Sequence, residues 1–253
     1  MSQSLSYQVY SDREFVQQYE DSILNNAWNA CYERPSTLSL VPENLKDQNV
    51  LDAGCGPGVV SEILLERGAM VTAVDYSPEM IKRTLLRTNG KVDARILDLN
   101  KGLGELASSS FDVVYCSLVI HYIDDLQQLF SEFARVLKPG GLFVFSTDHP
   151  DLAAVDNRAE DLQVRNTVRW DSFNVSIELY QRSWNHIMKA LISNSFEPGI
   201  VANARPGEEC RVRFPKEYNQ LLQKPYFICV RAICRKGYRS DEMSAATQRD
   251  IFL

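Results

Sequence analysis

Histidine is scarce in this sequence: 253 residues hold three, His121, His149 and His186. No two stand in an HExxH-type pair, which excludes that helical zinc arrangement. Cysteine occurs six times, at 31, 55, 116, 210, 229 and 234, but never as CxxC. The scattered spacing matches neither a zinc site nor a disulfide framework, so no metal is expected. Long apolar runs are missing. The longest, near residues 113–120, is far too short to span a bilayer, and residues 1–15 are polar with no apolar leader core. No membrane partner is expected, and a soluble cytoplasmic enzyme is the default. An excess of basic residues is absent too: 27 Lys and Arg face 33 Asp and Glu, a net charge of −6. That balance gives no general pull toward nucleic acid. The local run of Arg231, Arg235, Lys236 and Arg239 reads as a solvated strand end and tail, with RNA contact as the alternative.

What is present is an α/β rhythm. Residues 1–46 read as mostly helical. Asn49 to Ala53 is a short apolar strand that runs into Gly54-Cys55-Gly56-Pro57-Gly58. Val59, Val60, Ile63 and Leu64 share a helical face, and Gly68 closes that helix. Further strands are expected at 70–75, 94–97, 112–117 and 142–147. Between the last two lies a helix with Leu126, Leu129, Phe130, Phe133, Val136 and Leu137 at helical spacing, broken by Lys138-Pro139-Gly140-Gly141. Alternating strands and helices imply βαβ units and a mostly parallel sheet.

After Pro150 the pattern changes. Two runs alternate polar and apolar residues, 162–170 and 173–179, around Asp171-Ser172, which reads as an inserted hairpin. A helix follows, with Trp184, Ile187, Met188, Leu191 and Ile192 on one face. Strands are expected at 200–204 and 226–234. Residues 205–225 are rich in turn formers and, with the hairpin, are expected to form a lid. The organisation expected is therefore a helical cap (1–45), a nucleotide-binding core (46–150), the hairpin (151–180), the rest of the core (181–236) and a polar tail (237–253).

The glycine turn carries the strongest functional signal. It lies between strand and helix, where backbone N–H groups and the helix dipole meet a ligand. Its GxGxG pattern is one residue short of the dinucleotide GxGxxG, whose third glycine would fall at Val59. Asp75 ends the second strand, where a carboxylate can accept from both hydroxyls of a ribose. Asp98 ends the third, where one can accept from an adenine amino group. The ligand implied is an adenosine with no required phosphates.

At this point the sequence resembles the class I S-adenosylmethionine-dependent methyltransferases, of the small-molecule, type 11 kind. The resemblance rests on Val50 through Gly58, Val74 through Met80, Leu97-Asp98-Leu99, Phe111-Asp112-Val113-Val114 and Arg135 through Gly141. It implies a Rossmann-like sheet of seven strands, the last antiparallel, with helices on both faces. It also implies S-adenosyl-L-methionine as cofactor, with S-adenosyl-L-homocysteine as product. By the resemblance, Gly54, Cys55, Gly56 and Gly58 belong to the loop lining the methionine and ribose side, Cys55 itself by packing. Asp52 orients that loop or meets the cofactor's ammonium. Asp75 holds the ribose diol, Tyr76 and Met80 flank the adenine, and Asp98 with Leu99 reaches its amine. Cys116, Ser117 and Leu118 lie near the methionine portion, and Tyr32 and Arg34 are candidate contacts to its carboxylate.

His121 and Tyr122 follow the fourth strand, where substrates approach open α/β sheets, and His149 follows the fifth. Either histidine is a candidate general base, or else a packed or capping residue. Tyr122, Tyr180 and Arg182 are candidate acceptor contacts, and His186 is expected at the surface. The expected activity is methyl transfer by in-line displacement to a small-molecule O or N nucleophile, driven mainly by proximity and alignment. The alternatives are an RNA or protein methyltransferase, a non-catalytic binding module on the same fold, and a nicotinamide dehydrogenase.

Overall fold

The computed structural model describes residues 4–152 and 162–237. The expected tail beyond Gly237 and the start of the expected lid, residues 153–161, lie outside the described residues. Helix α1 (Leu5–Ser11) begins where the Ser4 hydroxyl accepts from the Tyr7 N–H, and α2 (Arg13–Asn25) where the Asp12 carboxylate accepts from Phe15 N–H. A π-helical turn at Asn29–Glu33 runs directly into α3 (Arg34–Leu38). The core then alternates: β1 (Asn49–Ala53), α4 (Val59–Glu66), β2 (Met70–Asp75), α5 (Pro78–Arg87), β3 (Asp93–Ile96), β4 (Phe111–Ser117), α6 (Leu126–Val136) and β5 (Leu137–Asp148). Strands β6 (Gln163–Trp170) and β7 (Val175–Arg182) form the inserted hairpin. They are followed by α7 (Trp184–Ser193), β8 (Phe196–Asn203), α8 (Glu208–Arg213), α9 (Pro215–Gln223) and β9 (Phe227–Cys234).

The main sheet has seven strands in the order β3-β2-β1-β4-β5-β9-β8, and β9 alone runs antiparallel to its neighbours. This is the expected fold: the order reverses direction between β1 and β4, so the C-terminal strand ends open there into a crevice. Two apolar layers cover the faces. One gathers Phe130, Phe133, Phe143 and Phe145 beneath α6 and α7; the other gathers Leu64, Val71, Tyr115 and Val144 beneath α3 and α4. A third, aromatic cluster stands apart from both and joins the N-terminal helices to the hairpin. Among the described residues no helix is long and apolar enough to cross a membrane.

Three local expectations are corrected. Strand β5 starts at Leu137, not 142, because Leu137 already pairs with Phe111 and a register shift absorbs the Pro139-Gly140-Gly141 kink. Residues 205–225 are two helices rather than an irregular lid: Cys210 and Leu221 are buried and Pro215 starts α9. On α7, Ile187, Ala190 and Leu191 face the core, while Ile192 points to solvent with 57% of its surface exposed. Adjacent helical residues diverge by about 100°, so Leu191 and Ile192 cannot both be central to one stripe.

Candidate active site

Three strand ends build one wall. After β1, the N–H groups of Gly54 and Cys55 donate to the Val74 carbonyl at 2.8 and 3.0 Å, which ties the glycine turn to β2. Gly56 has φ +52, and a Cβ there would meet nothing within 4 Å; its backbone faces open space. Gly58 differs. Its φ is +80, and a Cβ would stand 2.8 Å from Thr84 Cα, so this glycine lets α4 pack against α5. The Gly56 N–H donates to Asp75 Oδ2 at 3.0 Å, and the Ser77 N–H to Oδ1 at 2.9 Å. The Asp75 carboxylate is thus fixed in orientation by the loop and by the start of α5, with acceptor capacity left over. Asp98 accepts from the Asn100 N–H at 3.0 Å and pairs with Lys101. Asp52 is buried and accepts from the Ser61 hydroxyl at 2.6 Å.

These groups line a cavity of about 650 Å³. Of the residues singled out in the sequence, Arg34, Asp52, Gly54, Cys55, Gly56, Asp75, Tyr76, Met80, Asp98, Leu99, Ser117, Leu118, Tyr122 and Tyr180 all face it. Leu118 does so with φ +52, a left-handed conformation rare for leucine. It is held there by its N–H donating to the Ser146 carbonyl and hydroxyl, both at 3.1 Å. The opposite wall comes from α1 and α2 (Ser6, Tyr7, Tyr10, Tyr19) and from the hairpin (Arg165, Glu178, Tyr180). Nothing from 205–225 reaches it. Those residues are used elsewhere: Ser36 and Arg205 bond each other, and Cys210 is buried with Cys31 and Tyr32.

Six expected contacts are not made by this cavity. Tyr32 is fully buried, and its hydroxyl accepts from the Tyr226 N–H at 2.9 Å, joining the cap to β9. Gly58 is the packing glycine described above. Cys116 points into the opposite core layer, where burial raises its thiol pKa. Arg182 is buried, and its guanidinium donates to Gln163 Oε1 and to the carbonyls of Ile120, Ile123 and Asp124. It braces the loop after β4. His121 and His149 line a separate cavity of about 120 Å³, with Asp148, Tyr180 and Arg182. In His149, Nδ1 accepts from the Asp151 N–H at 3.2 Å, so Nε2 carries the proton and donates to Asn203 Oδ1 at 3.0 Å. Both nitrogens are occupied, the pattern of a capping histidine. His121 Nδ1 lies 4.0 Å from Asp148, and burial lowers its pKa. His186, expected at the surface, is half-buried on α7.

The sequence reading missed Glu33, Tyr10, Tyr19, Tyr115, Arg165 and Glu178, all of which face the large cavity. The only signal for Glu33 was its place between Tyr32 and Arg34. For Tyr10 and Tyr19, the available signal was the number of aromatic residues in the first 46 positions; Tyr115, inside β4, gave none.

Burial sets the electrostatics. It raises Asp52 to about 7 and Asp75 to about 6, the latter against backbone hydrogen bonds from Ser77, Gly56 and Tyr76 that favour the anion. The Tyr10 and Tyr122 hydroxyls sit 2.9 Å apart, and burial raises both phenols. The same effect takes Tyr19 to about 12 and lowers Arg182 to about 10. Burial raises the Cys55 thiol well above its ordinary range, so it packs and does not act as a nucleophile.

The sheet order, the glycine turn and the strand-end acids define a class I methyltransferase architecture. Residues 51–145 match the model of the family Methyltransf_11, a methyltransferase domain. It is 36% identical over 150 residues to an uncharacterised protein of Haemophilus influenzae, covering 56% of this chain and 58% of that one. It is 38% identical over 115 residues to a ubiquinone biosynthesis O-methyltransferase of Xylella fastidiosa, covering 44% of this chain and 46% of that one. The match thus spans about half the length of these curated relatives. A solved S-adenosylmethionine-dependent methyltransferase from Mesorhizobium loti superposes with a TM-score of 0.67 at 25% identity, covering 84% of this chain and all of that one.

Proposed function

We propose that this chain binds S-adenosylmethionine in the 650 Å³ cavity and transfers its methyl group to a small-molecule acceptor. The observation that carries the reading is the convergence of the open Gly56 backbone and the Asp75 and Asp98 carboxylates on one wall of that cavity. Asp75 would accept from the ribose hydroxyls and Asp98 from the adenine amine. Tyr76 and Met80 would flank the base, and Arg34 would meet the methionine carboxylate. When bound, the cofactor supplies an electrophilic methyl on a sulfonium. The chain's part is to hold the acceptor in line and keep water out.

No histidine faces the large cavity among the described residues. This favours an acceptor that loses its proton to solvent or that meets the Tyr10–Tyr122 hydroxyl pair. His121 and His149 remain within reach only of an acceptor that extends past Tyr180, which lines both cavities. The cap and hairpin line the cavity opposite the sheet, which favours a small acceptor over RNA or protein. A cytoplasmic setting fits the six free cysteines.

Calorimetry tests the reading. S-adenosylhomocysteine should bind the wild type at micromolar Kd, Asp75→Ala should abolish that binding, and NAD should not bind. Binding of NAD in place of S-adenosylhomocysteine would move the chain to the dehydrogenases. Labelled methyl transfer to a small-molecule panel, with total RNA and protein in parallel, then identifies the acceptor class. Cofactor binding without any transfer would favour a non-catalytic module.

A further inference from the structure

Two buried carboxylates in the cavity wall are left unused by the proposed cofactor contacts: Asp52, whose Oδ2 accepts from the Ser61 hydroxyl, and Glu33. Only 2% of the Glu33 surface is exposed. Three hydroxyls donate to its Oε1: Thr37 at 2.7 Å, Ser117 at 2.8 Å and Ser146 at 2.5 Å. None of these donates to Oε2. Among the described residues no cation lies within ion-pair distance of Glu33, and the neighbouring Arg34 gives its Nη2 to the Ile23 carbonyl at 2.8 Å. Its direct partners are neutral hydroxyls and Arg34 couples to it only beyond ion-pair distance, so a buried carboxylate here gains from a further cation. On the same wall the Tyr115 hydroxyl is buried with no hydrogen-bond partner. Both groups face the cavity, so a ligand is the available source of the missing partners.

The sheet says which part of a ligand. Strands β2, β1, β4 and β5 are consecutive neighbours. Asp75 ends β2, whereas Glu33 is held by Ser117 at the end of β4 and Ser146 of β5, which pair in register. Three strand spacings of about 4.8 Å separate β2 from β5, roughly 14 Å across the crevice. A ligand with its adenosine at Asp75 and Asp98 therefore presents its far end to Glu33 and Arg34. Adjacent residues of opposite charge on one wall match an α-amino acid zwitterion. We infer that Glu33, held in place by the Ser117 and Ser146 hydroxyls, binds the α-ammonium of the cofactor's methionine portion. This rests on the reading of the cavity as an S-adenosylmethionine site.

The test compares three ligands by calorimetry: S-adenosylhomocysteine, its analogue without the α-amino group, and 5′-methylthioadenosine, which lacks the amino acid portion altogether. The wild type should prefer S-adenosylhomocysteine over the desamino analogue by about 10- to 100-fold, the range of a charge-assisted hydrogen bond. Glu33→Gln should lose that preference while binding 5′-methylthioadenosine as the wild type does. Glu33→Asp, which keeps the charge on a shorter arm, should retain part of it. A wild type without the preference would overturn the inference with no variant needed. Equal weakening of all three ligands in Glu33→Gln would overturn it too, since Glu33 would then only brace α3 against β4 and β5. If instead S-adenosylhomocysteine and 5′-methylthioadenosine both failed to bind the wild type, the cofactor reading itself would fall.

Discussion

Asp75 shows how a single residue is prepared for a ligand before one arrives. Its orientation is set by the N–H groups of Gly56 and Ser77, and burial raises its pKa to about 6. Ribose hydroxyls donate to the anion, so binding lowers that pKa. The sign follows: affinity for S-adenosylhomocysteine should climb as pH rises through 6 and level off above 7. At pH 5 about a tenth of the carboxylate is ionised, which predicts roughly tenfold weaker binding than at pH 7. Titrations between pH 5 and 8 check this, and Asp75→Asn should flatten the part of the profile centred on 6. The two glycines of the turn predict different failures. Gly58→Ala places a methyl against Thr84 in a left-handed backbone and should cost about 3 kcal/mol of stability by denaturant unfolding. Gly56→Ala has room for its methyl and should cost only about 1 kcal/mol. Its larger effect should be on cofactor binding, since the methyl intrudes on the open wall.

Among the elements, α1, α2 and the hairpin act together. Tyr19 stacks on Trp170 with centroids 6.1 Å apart, and Phe15 meets Phe173 edge-on at 5.4 Å. On the other side, Glu20 of α2 pairs with Arg83 at 3.0 Å and Arg87 at 2.5 Å, both on α5, and Arg87 Nε donates to the Pro57 carbonyl in the glycine turn. The cap is thereby tied to both lid and loop. A double-mutant cycle on Tyr19→Ala and Trp170→Ala should return a coupling of about 0.5–1.5 kcal/mol, read from unfolding free energies. Either change should also speed S-adenosylhomocysteine release in stopped-flow measurements. Arg182 belongs to this scale as well. The sequence marks it as a candidate acceptor contact, but it satisfies the buried carbonyls of Ile120 and Ile123 and the part-buried one of Asp124 after β4. Arg182→Met should therefore lower the melting temperature and leave discrimination among acceptors unchanged.

For the molecule as a whole, the cofactor is expected to act as a clamp between two halves of the chain. One wall of the cavity is the parallel sheet and the other is the cap and hairpin, which touch the ligand space from above. Occupancy at a hundred times Kd adds about 2.7 kcal/mol to the folded state. For a chain of this size that corresponds to a rise in melting temperature of roughly 5–10 °C. Thermal unfolding with and without S-adenosylhomocysteine measures it. A rise that vanishes when the cap cluster is disrupted would place the clamp where the aromatic cluster lies.

The sequence by itself determined the sheet and one wall of the site. The glycine turn, Asp75 and Asp98 are legible because backbone approach and strand-end acids depend on residue type at fixed spacing, within single βα units. The hairpin was legible for the same local reason, whereas the antiparallel final strand was implied only by the family resemblance. Only the tertiary structure decided the other wall. That Glu33 meets Ser117 and Ser146 joins residues 84 and 113 positions apart in the chain. That Arg182 turns to the backbone at 120–124 and His149 to Asn203 are likewise long-range choices. Burial forces each of these polar groups to find a partner, and which partner is near depends on how distant segments pack, which no local pattern records.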